Sequence, residues 1–331
     1  MSVKAQVLSA LDAARGRYIS GQELADQLGV SRAAIWKAVT ALRADGTPIE
    51  AITNRGYALP HGADLLNADA ITALLAPAVA QAVQITVVDR LPGTNAALRT
   101  QATNGAPEGL VLIAQAQSAG RGRRGHSFFS PPGGLYLSIL LRPAFSTRQS
   151  PQITALAAVA AARAAEQLCG TPIQIKWVND LWKNGKKVCG ILTEAETNFE
   201  TGSISRIIVG IGVNCFEQSF PEELAEKASY VTGAPRDFTR SQLAAAIIRY
   251  FFTTLEEFDK RTILRDYRSR SLILGEQILV YGASYGALPE NGGQGIKARA
   301  IDIDENGGLV VEYMEGRHAR EMDTICLLYT S

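Results

Sequence analysis

The sequence predicts an α/β protein of the α+β type, with an N-terminal winged helix-turn-helix, a central mixed sheet with packed helices and a small C-terminal β-barrel. Three observations predict this fold class: a helix-turn-helix pattern near the start, strands joined by tight turns in the middle, and short strands at regular turn spacing near the end. We place the domains at residues 1–64, 65–270 and 271–331.

Composition and charge exclude several classes of protein. A chain of 331 residues with 47% hydrophobic residues is typical of two or three globular domains, and its net charge of +1 gives little general attraction to nucleic acid. No charged segment followed by an apolar stretch opens the chain, and the most apolar run, Ile153–Leu168, is interrupted by Arg163 and Glu166. We therefore expect a cytoplasmic protein without a membrane partner.

The cysteines and histidines are scattered along the chain and predict no metal site. They are Cys169, Cys189, Cys215 and Cys326, and His61, His126 and His318. None of them forms a group with the spacing of metal ligands, so we expect reduced structural thiols.

The residues from Tyr18 onward predict two short helices joined by a tight turn. Leu24 and Leu28 would share one face of the first helix, and Gly29 follows where a helix end needs a residue with positive φ. Ser31 would cap the second helix, whose apolar residues recur at i, i+4 and i+7. These apolar residues are Ile35, Val39 and Leu42.

The outer face of the second helix predicts binding to DNA. Two short strands around Asn54-Arg55-Gly56 would form a wing beside this helix. The candidate DNA-binding residues are Ser31, Arg32, Trp36, Lys37, Thr40 and Arg55. The alternative is a three-helix packing module with no DNA partner.

The central segment predicts alternating strands and helices. After a linker that passes into a helix near residues 61–75, we expect strands at Ala82–Asp89, Gly109–Ala116 and Leu135–Leu141, with a helix at Thr94–Thr103. Ser150-Pro151 opens an Ala-rich helix that ends at Gly170.

The second half of the central segment predicts a mixed or antiparallel sheet. Residues 173–196 predict a strand, a turn at Asn184-Gly185 and a second strand, because Asn-Gly is the strongest short hairpin signal. Ile204–Cys215 predicts another strand and Arg240–Thr262 a helix. Beyond Leu272, strands at 276–282, 296–304 and 309–316 and a final strand predict the small barrel.

The run from Gly120 to Gly125 matches the G-x-G-x-x-G pattern of dinucleotide-binding proteins, but its surroundings exclude that function. No helix follows it, because Phe128-Phe129-Ser130-Pro131-Pro132 cannot continue as one, and no acidic residue lies between Gly109 and Ala165 to bind a ribose. The segment instead places three guanidinium groups within four residues, those of Arg121, Arg123 and Arg124, and Arg142 adds positive charge further along the chain. We expect a small-anion site there; a solvated basic loop is the alternative.

Three motifs together resemble the bifunctional biotin–protein ligase and biotin operon repressor family. They are "GRGRRG", "KWVNDLWKNGKKVCGILTE" and "GIGVN", in this order behind a helix-turn-helix, and the resemblance covers nearly the whole chain. It implies that biotin and ATP, with Mg²⁺, form biotinyl-5′-AMP and pyrophosphate, and that biotin then passes to a lysine of the biotin carboxyl carrier protein of acetyl-CoA carboxylase. It also implies a homodimer, formed when biotinyl-5′-AMP is bound, that represses transcription at operator DNA.

The resemblance also implies roles for individual residues. The biotin-binding residues would be Gly93, Thr94, Asn95, Gln117, Arg121, Gly122, Arg123, Lys187 and Gly190, and the nucleotide-binding residues Arg121, Arg124, Asn179 and Asn214. Lys187, Arg121 and Asp180 would be catalytic, with Asp180 orienting or deprotonating the incoming lysine. Cations suit this chemistry, because attack on a phosphate is catalysed mainly by positioning and charge stabilisation.

The chain departs from the family pattern at four places. Gly93 replaces a usual Ser, which removes a hydroxyl from the biotin site, and Val178 replaces a usual Pro before Asn179. Gln115 stands where an acid is common, and residues 318–331 lack the Gly-Glu-(Ile/Val)-Ser-like sequence expected for the closing strand.

Two other functions compete with this one. A lipoate ligase or octanoyltransferase would share the central fold but lacks the N-terminal module and the paired "GRGRR" and "KWVND" motifs. A non-catalytic regulator would sense a ligand through the central domain, but it would not need Lys187, Arg121 and Asp180 together.

Overall fold

The computed structural model describes residues 2–44, 47–142, 150–197, 204–233, 238–256, 260–280, 295–314 and 320–325. Cys326, His318 and the end of the unusual C-terminal tail lie outside these residues. No helix in the described ranges is long and apolar enough to cross a membrane.

The N-terminal module is a winged helix-turn-helix, as predicted. Its elements are α1 (Val3–Ala13), α2 (Gly21–Leu28), α3 (Arg32–Ala44), β1 (Glu50–Ile52) and β2 (Gly56–Ala58). The two strands pair antiparallel as the wing, and Ile19 bridges to Tyr57 to extend it. The helix α1 is an addition to the two helices that the periodicity defined.

Local capping sets the ends of the helices in this module. Ser20 Oγ accepts a hydrogen bond from the backbone N–H of Glu23 at 3.0 Å, and Gly29 ends α2 with a φ of +66°. Ser31 Oγ accepts from the N–H of Ala34 at 3.2 Å, which confirms Ser31 as the cap of α3. The apolar residues Ile35, Val39 and Leu42 of α3 are all buried against α1 and α2.

Two short helices follow the module. In α4 (Ala68–Ala73), Asn67 caps the N-terminus by accepting from the N–H of Ala70. The second, α5 (Pro77–Ala82), was not predicted, and it moves the start of the next strand from Ala82 to Gln84. Its proline lies in the first turn, where a missing N–H costs nothing, so the segment is compatible with a helix.

The central domain contains a seven-stranded mixed sheet with the strand order β3-β4-β5-β9-β8-β7-β6. The strands are β3 (Gln84–Leu91), β4 (Leu110–Gln117), β5 (Leu135–Leu141), β6 (Gln174–Lys176), β7 (Asp180–Lys183), β8 (Lys186–Thr197) and β9 (Ile204–Val213). Only β3 and β4 pair in parallel, across the helix α6 (Thr94–Thr103), and the remaining pairs are antiparallel. The predicted mixed sheet is confirmed.

Two predictions in this domain need correction. The single strand expected before Asn184-Gly185 is two strands, because Lys176 pairs with Asp180 and the three residues between them form a turn. The helix expected over Arg240–Thr262 is α9 (Arg240–Glu256), and α10 (Lys260–Ser269) follows as a separate element. The short helix α8 (Glu222–Ala225) was not predicted.

Helices cover the two faces of the sheet unequally. The helix α7 (Ser150–Cys169), which ends at Gly170 as predicted, packs with α9 and α10 on one face and encloses the main apolar core. On the other face, α6 makes a small apolar core through Leu98 and Ala102. Because α6 covers only one end of this second face, β8 and β9 leave an open surface there.

Where the sequence predicts a small β-barrel, the described C-terminal strands form a four-stranded antiparallel meander in the order β10-β11-β12-β13. They are β10 (Gln277–Val280), β11 (Ile296–Ile303), β12 (Leu309–Tyr313) and β13 (Met322–Ile325). Trp177 Nε1 in the turn between β6 and β7 donates to the carbonyl of Gly307 at 3.0 Å, and Arg268 Nε in α10 donates to the carbonyl of Ile303 at 2.9 Å. These contacts hold the meander against the edge of the central domain.

One buried arginine connects the N-terminal linker to the central domain. Arg240, the first residue of α9, is 8% exposed, and its guanidinium and backbone N–H both bind the Asp64 carboxylate. Its Nη1 donates to the carbonyl of Gly134 at 3.1 Å, and its Nη2 donates to Gln115 Oε1 at 3.2 Å. Arg240 therefore holds three segments that are far apart in the sequence.

We expect Arg240→Ala to lower the free energy of unfolding by about 2 kcal/mol, because it leaves a largely buried carboxylate at Asp64 without its partner. Urea denaturation measures this change. Arg249→Ala is the matched control, since Arg249 lies on the same helix and donates to Gln167 from an exposed position. Equal losses in the two variants would contradict the role of the buried contact.

Candidate active site and nucleic-acid interface

A cavity of about 850 Å³ lies between the open face of the central sheet, the segment 118–134 and the C-terminal meander. Its volume is typical of small-molecule sites in proteins. The cavity brings together most of the residues predicted for biotin and nucleotide binding. They are Gly93, Thr94, Asn95, Gln117, Arg121, Gly122, Arg123, Asn179, Asp180, Lys187 and Gly190.

The glycine-rich segment folds as a small hairpin over the cavity. The N–H of Phe128 donates to the carbonyl of Gly120 at 2.9 Å, and the N–H of Gly122 donates to the carbonyl of His126 at 2.7 Å. A three-residue 3₁₀ turn, Arg123–Gly125, forms its tip, and the chain then continues to β5 without an α-helix. This geometry agrees with the exclusion of a dinucleotide fingerprint, which needs a helix at this point.

The arginines of this segment differ in their surroundings. Arg123 Nη1 donates to Asn179 Oδ1 at 3.3 Å, which ties the hairpin to the turn before β7. Arg121 is exposed at the mouth of the cavity. The side chain of Arg124 lies outside the described part of the structure, and Arg142 donates to the carbonyls of Ala102 and Ala106, away from the cavity.

Uncharged hydrogen-bonding groups form the floor of the cavity. Gln117 Oε1 accepts from the N–H of Thr94 at 2.8 Å, and Gln117 Nε2 donates to Ser130 Oγ at 2.9 Å. The fully buried Ser138 Oγ lies 2.7 Å from Thr94 Oγ1 and 2.6 Å from Asn95 Oδ1. The floor therefore offers uncharged polar partners to a ligand, and the charged side chains of Glu194 and Arg99 line the cavity beside it.

Lys187 and Asp180 form a charged pair at the side of the cavity. Lys187 Nζ lies 2.7 Å from Asp180 Oδ1 and 5.8 Å from the centre of the Phe128 ring. About a third of the lysine side chain and a quarter of the aspartate side chain are exposed. A bound carboxylate or phosphate would therefore find an ammonium group that is positioned but still accessible.

Glycines in the sheet make room for the cavity wall. Gly190 and Gly212 face each other across β8 and β9, and the Phe128 ring packs over both. A Cβ atom added at Gly212 would lie 2.7 Å from the ring, and one added at Gly190 would lie 3.0 Å from it. A Cβ atom at Gly210 would lie 2.2 Å from Asn95 Oδ1. A side chain at Gly210 or Gly212 would therefore displace Asn95 or Phe128, and one at Gly190 would need a small shift of the Phe128 ring.

Several lining residues were missed by the sequence analysis. Trp177, Phe128 and Glu194 contribute to the wall of the cavity. The C-terminal meander and the segment before it add an apolar side made of Ile273, Ile278, Leu279, Val280, Leu309 and Ile325. Trp177 and Glu194 lie within the motif of residues 176–194, but the motif did not distinguish lining residues from the others. The apolar runs in β10 and β12 do not distinguish a cavity wall from an ordinary core.

Among the residues predicted for biotin or nucleotide binding whose side chains the structure describes, Asn214 is the one that does not line the cavity. Its Nδ2 donates to the carbonyl of Ser229 at 2.9 Å, and its backbone N–H donates to the carbonyl of Val188 at 2.9 Å. In this structure Asn214 is 5% exposed and holds the segment after α8 against the end of β9. A nucleotide-binding role for Asn214 stays a prediction.

The structure shows the surroundings of three residues that depart from the family pattern, which are Gly93, Val178 and Gln115. Gly93 has an extended backbone with φ −169°, and a Cβ there would find its nearest atom at 3.6 Å, so a serine would fit. The Trp177–Val178 peptide bond is cis, and the buried Tyr267 hydroxyl donates to the Val178 carbonyl at 2.9 Å. Gln115 contacts Arg240 and Asp89 rather than the cavity.

Burial keeps several acidic groups near the site neutral. Burial raises the pKa of Tyr136, whose hydroxyl donates to the carbonyl of Pro131 at 2.8 Å, and it also raises the pKa of the Cys189 and Cys215 thiols. These thiols are thus poor nucleophiles. Among the residues that the structure describes, no group of three His, Cys, Asp or Glu side chains has the arrangement of a metal site.

The predicted DNA-binding residues lie together on the outer surface of the N-terminal module. Ser31, Arg32, Trp36, Lys37 and Thr40 are exposed along α3, with Trp36 63% exposed, and Arg55 is exposed on the wing. The Arg55 guanidinium lies 4.5 Å from the centre of the Tyr18 ring, which orients it beside the helix. The arrangement resembles a docking surface with one helix for the major groove and a wing beside it.

Comparison with known proteins gives two family matches and several relatives. Residues 87–214 match the Biotin/lipoate A/B protein ligase family, and residues 3–58 match an HTH domain. The chain is 32% identical over 318 residues to the bifunctional ligase/repressor BirA of Bacillus spizizenii, and the match covers 95% of both chains. It is 30% identical over 318 residues to BirA of Escherichia coli K12, covering 92% of this chain and 93% of the relative.

A solved structure has the same catalytic fold. The biotin protein ligase from Aquifex aeolicus in complex with biotin and ATP superposes with a TM-score of 0.58 at 25% identity. The match covers 73% of this chain and 98% of that chain.

We expect Gly212→Ala to lower the free energy of unfolding by about 1–3 kcal/mol, because its methyl group overlaps the Phe128 ring and forces it to move. Gly93→Ser is the matched control: it has space, a permitted backbone and a helix-capping hydroxyl, so we expect a change of only a few tenths of a kcal/mol. Thermal unfolding of both variants measures the difference. A Gly212→Ala protein as stable as the parent would show that Phe128 does not need the bare backbone.

Proposed function

The chain belongs to the BirA family of bifunctional ligase/repressor proteins, and on this premise we propose that it is an ATP-dependent biotin–protein ligase and a biotin-operon repressor. Biotin and ATP are its substrates and biotinyl-5′-AMP is the intermediate. The acceptor is a lysine of the biotin carboxyl carrier protein of acetyl-CoA carboxylase. Mg²⁺ enters coordinated by the phosphates of ATP, which is how this ion is commonly held.

The polar floor of the cavity carries this proposal. The ring system of biotin is a cyclic urea with two N–H donors and one carbonyl acceptor, and such a group can satisfy Gln117, Thr94 and their neighbours. The dithiolane ring of lipoate offers no comparable hydrogen bonds. A site built to hydrogen-bond its substrate rejects an analogue that leaves those groups unpaired by factors of about 10⁴.

The first half-reaction joins the biotin carboxylate to the α-phosphorus of ATP. A carboxylate oxygen forms the new P–O bond, the bond between the α-phosphorus and the bridging oxygen breaks, and pyrophosphate leaves. Lys187 and Arg121 would hold the approaching anions against their mutual repulsion. Arg123, fixed by its contact with Asn179, would hold the mixed anhydride under the hairpin.

The second half-reaction transfers the biotinyl group to the carrier protein. The uncharged amine of the acceptor lysine attacks the acyl carbon, the C–O bond to the phosphate breaks, and AMP leaves. Asp180 lies in the cavity within 2.7 Å of Lys187, where it can orient the incoming amine and accept its proton. Until substrate binds, the ammonium group of Lys187 compensates the negative charge of the Asp180 carboxylate.

The repressor activity would use the exposed face of the N-terminal module. One helix-turn-helix covers a half-site, so a palindromic operator needs a homodimer, which we propose forms when biotinyl-5′-AMP is bound. A cytoplasmic location agrees with the buried thiols of Cys189 and Cys215.

One experiment separates this function from its alternatives. The protein is incubated with Mg-ATP, a carrier domain and either biotin or lipoate, and labelling of the carrier is measured by mass. Labelling with biotin but not with lipoate supports the ligase, and labelling with lipoate supports a lipoate ligase. Biotin binding and pyrophosphate release are measured in parallel, and binding without release supports a non-catalytic sensor.

We expect Lys187→Ala to slow adenylate formation about 100-fold, because the variant loses a cation beside the reacting anions. Pyrophosphate release measures the rate. Lys186→Ala is the matched control, since Lys186 Nζ donates to the carbonyl of Ala225 and lies outside the cavity wall. A Lys187→Ala protein that is folded and releases pyrophosphate at the parent rate would remove Lys187 from the mechanism.

We expect Arg32→Ala to weaken operator binding and leave biotinylation unchanged, because Arg32 lies at the exposed start of α3, far from the cavity. Arg299→Ala, an exposed arginine of β11, is the control for lost charge. We also expect biotin with ATP, but not ATP alone, to shift the protein toward the dimer in sedimentation and to tighten operator binding. If the protein stays monomeric and binds the operator equally well without ligand, the proposed biotin-dependent repression is contradicted and the proposed ligase activity is unaffected.

A further inference from the structure

Glu194 on β8 lines the cavity beside α6, and its carboxylate contacts two residues of this helix. Glu194 Oε2 accepts from Asn95 Nδ2 at 2.8 Å, and Oε1 accepts from the Arg99 guanidinium. Neither the motifs nor the expected ligand contacts assign a role to Glu194. Its position next to the polar floor suggests that it acts through Asn95.

The partners of Asn95 fix which way its side-chain amide points. A carboxylate and a backbone carbonyl accept hydrogen bonds and cannot donate them. Glu194 Oε2 and the carbonyl of Leu192, at 2.8 and 3.1 Å, therefore both require Nδ2 of Asn95 on their side. Asn95 Oδ1 must then face Ser138 Oγ, which is 2.6 Å away.

This orientation determines where the two hydroxyl protons of the floor point. Asn95 Oδ1 has no proton to give, so Ser138 must donate its only hydroxyl proton to it. The contact of 2.7 Å between Ser138 Oγ and Thr94 Oγ1 then requires the Thr94 hydroxyl to donate toward Ser138. The Thr94 proton therefore points away from Gln117, whose Oε1 lies 3.2 Å from Thr94 Oγ1.

The orientation of Gln117, at the other end of this chain of hydrogen bonds, is fixed as well. Gln117 Nε2 donates to Ser130 Oγ, and Ser130 donates its own proton to the carbonyl of Phe128 at 2.8 Å. Gln117 Oε1 thus faces Thr94 and, among the described residues, accepts only the backbone N–H of Thr94 at 2.8 Å. One lone pair on Gln117 Oε1 and the two lone pairs on Thr94 Oγ1 remain as acceptors beside the cavity.

We propose that Glu194 is a positioning residue that sets the direction of the hydrogen-bond chain Asn95–Ser138–Thr94–Gln117, so that the floor presents two acceptors to the two N–H groups of a cyclic urea. The proposal rests on the proposed function, since it concerns recognition of biotin. It adds a specificity element that does not itself touch the ligand.

The test compares Glu194→Gln with the parent. A glutamine side chain can place either an oxygen or an NH₂ group against Asn95, so the shorter of the two contacts that orient Asn95 Nδ2 no longer enforces the direction of the hydrogen-bond chain. Only the Leu192 carbonyl, at 3.1 Å, still favours it. We expect the KM for biotin to rise about five- to tenfold, with kcat for pyrophosphate release and the KM for ATP within about twofold of the parent. A general loss of structure would instead change all three quantities.

Glu196→Gln is the matched control. Glu196 lies two residues further along the same face of β8, pairs with Arg206 and lies 3.4 Å from Arg99, but it does not line the cavity. We expect its kinetic constants to equal those of the parent. Ser138→Ala is a second variant that interrupts the chain at a different point, and it should raise the KM for biotin in the same way.

A ligand analogue tests the hydrogen-bond direction itself. Biotin methylated at one ureido nitrogen lacks one N–H donor, and the ratio of its Kd to that of biotin is measured by calorimetry without ATP. We expect this ratio to be several-fold smaller for Glu194→Gln than for the parent and for Glu196→Gln. The bulk of the methyl group is the same in all three proteins, so it cancels in the comparison.

The outcomes separate this proposal from the proposed function. If the parent protein forms no biotinyl-5′-AMP, the proposed function fails. If the parent is active and Glu194→Gln keeps both the parent KM for biotin and the parent Kd ratio, the positioning role of Glu194 is overturned. An equal rise in the KM of biotin and ATP in both Glu194→Gln and Glu196→Gln would also overturn it.

Discussion

The cavity depends on one constraint, which is the absence of side chains at three neighbouring positions on β8 and β9. Gly190, Gly210 and Gly212 leave bare backbone there, and Phe128 and Asn95 pack directly onto it. The glycine-rich hairpin and the start of α6 therefore reach the same patch of sheet from two directions. Their polar groups meet around one cavity because the patch of sheet beneath them carries no side chains at these three positions.

The cavity has an uncharged floor and a charged rim, and the two regions suit different tasks. Uncharged hydrogen bonds to a buried ring system give specificity, because an unpaired partner is costly. Lys187 and Arg121 place an ammonium and a guanidinium group on the rim, where they can stabilise the parts of the reactants whose charge changes during the reaction. The apolar side from the C-terminal meander makes this part of the cavity less polar than bulk water, and a less polar surrounding strengthens the interaction of those charges with the reacting groups.

Local sequence patterns predicted the elements that local interactions determine. The helix α6 has the predicted bounds, and the turn at Asn184-Gly185 has a positive φ at both residues, as an Asn-Gly hairpin requires. The motifs placed most of the site, but Ser138 and Glu194 contact Asn95 from 43 and 99 residues away. No periodicity or turn signal encodes such a contact, and only the sheet order brings these side chains together.

The Asp64–Arg240 pair limits where the chain can be divided into a ligase and a DNA-binding part, in evolution or by truncation of the gene. Asp64 belongs to the linker, but its partner also holds Gln115 and Gly134, which flank the glycine-rich hairpin. A recombination event that cuts the chain after Asp64 would leave a buried guanidinium without its acid next to the substrate segment. A catalytic domain that is separated from the rest of the chain should therefore begin before Asp64. A protein that lost the N-terminal module in evolution would have to retain this carboxylate or supply another one.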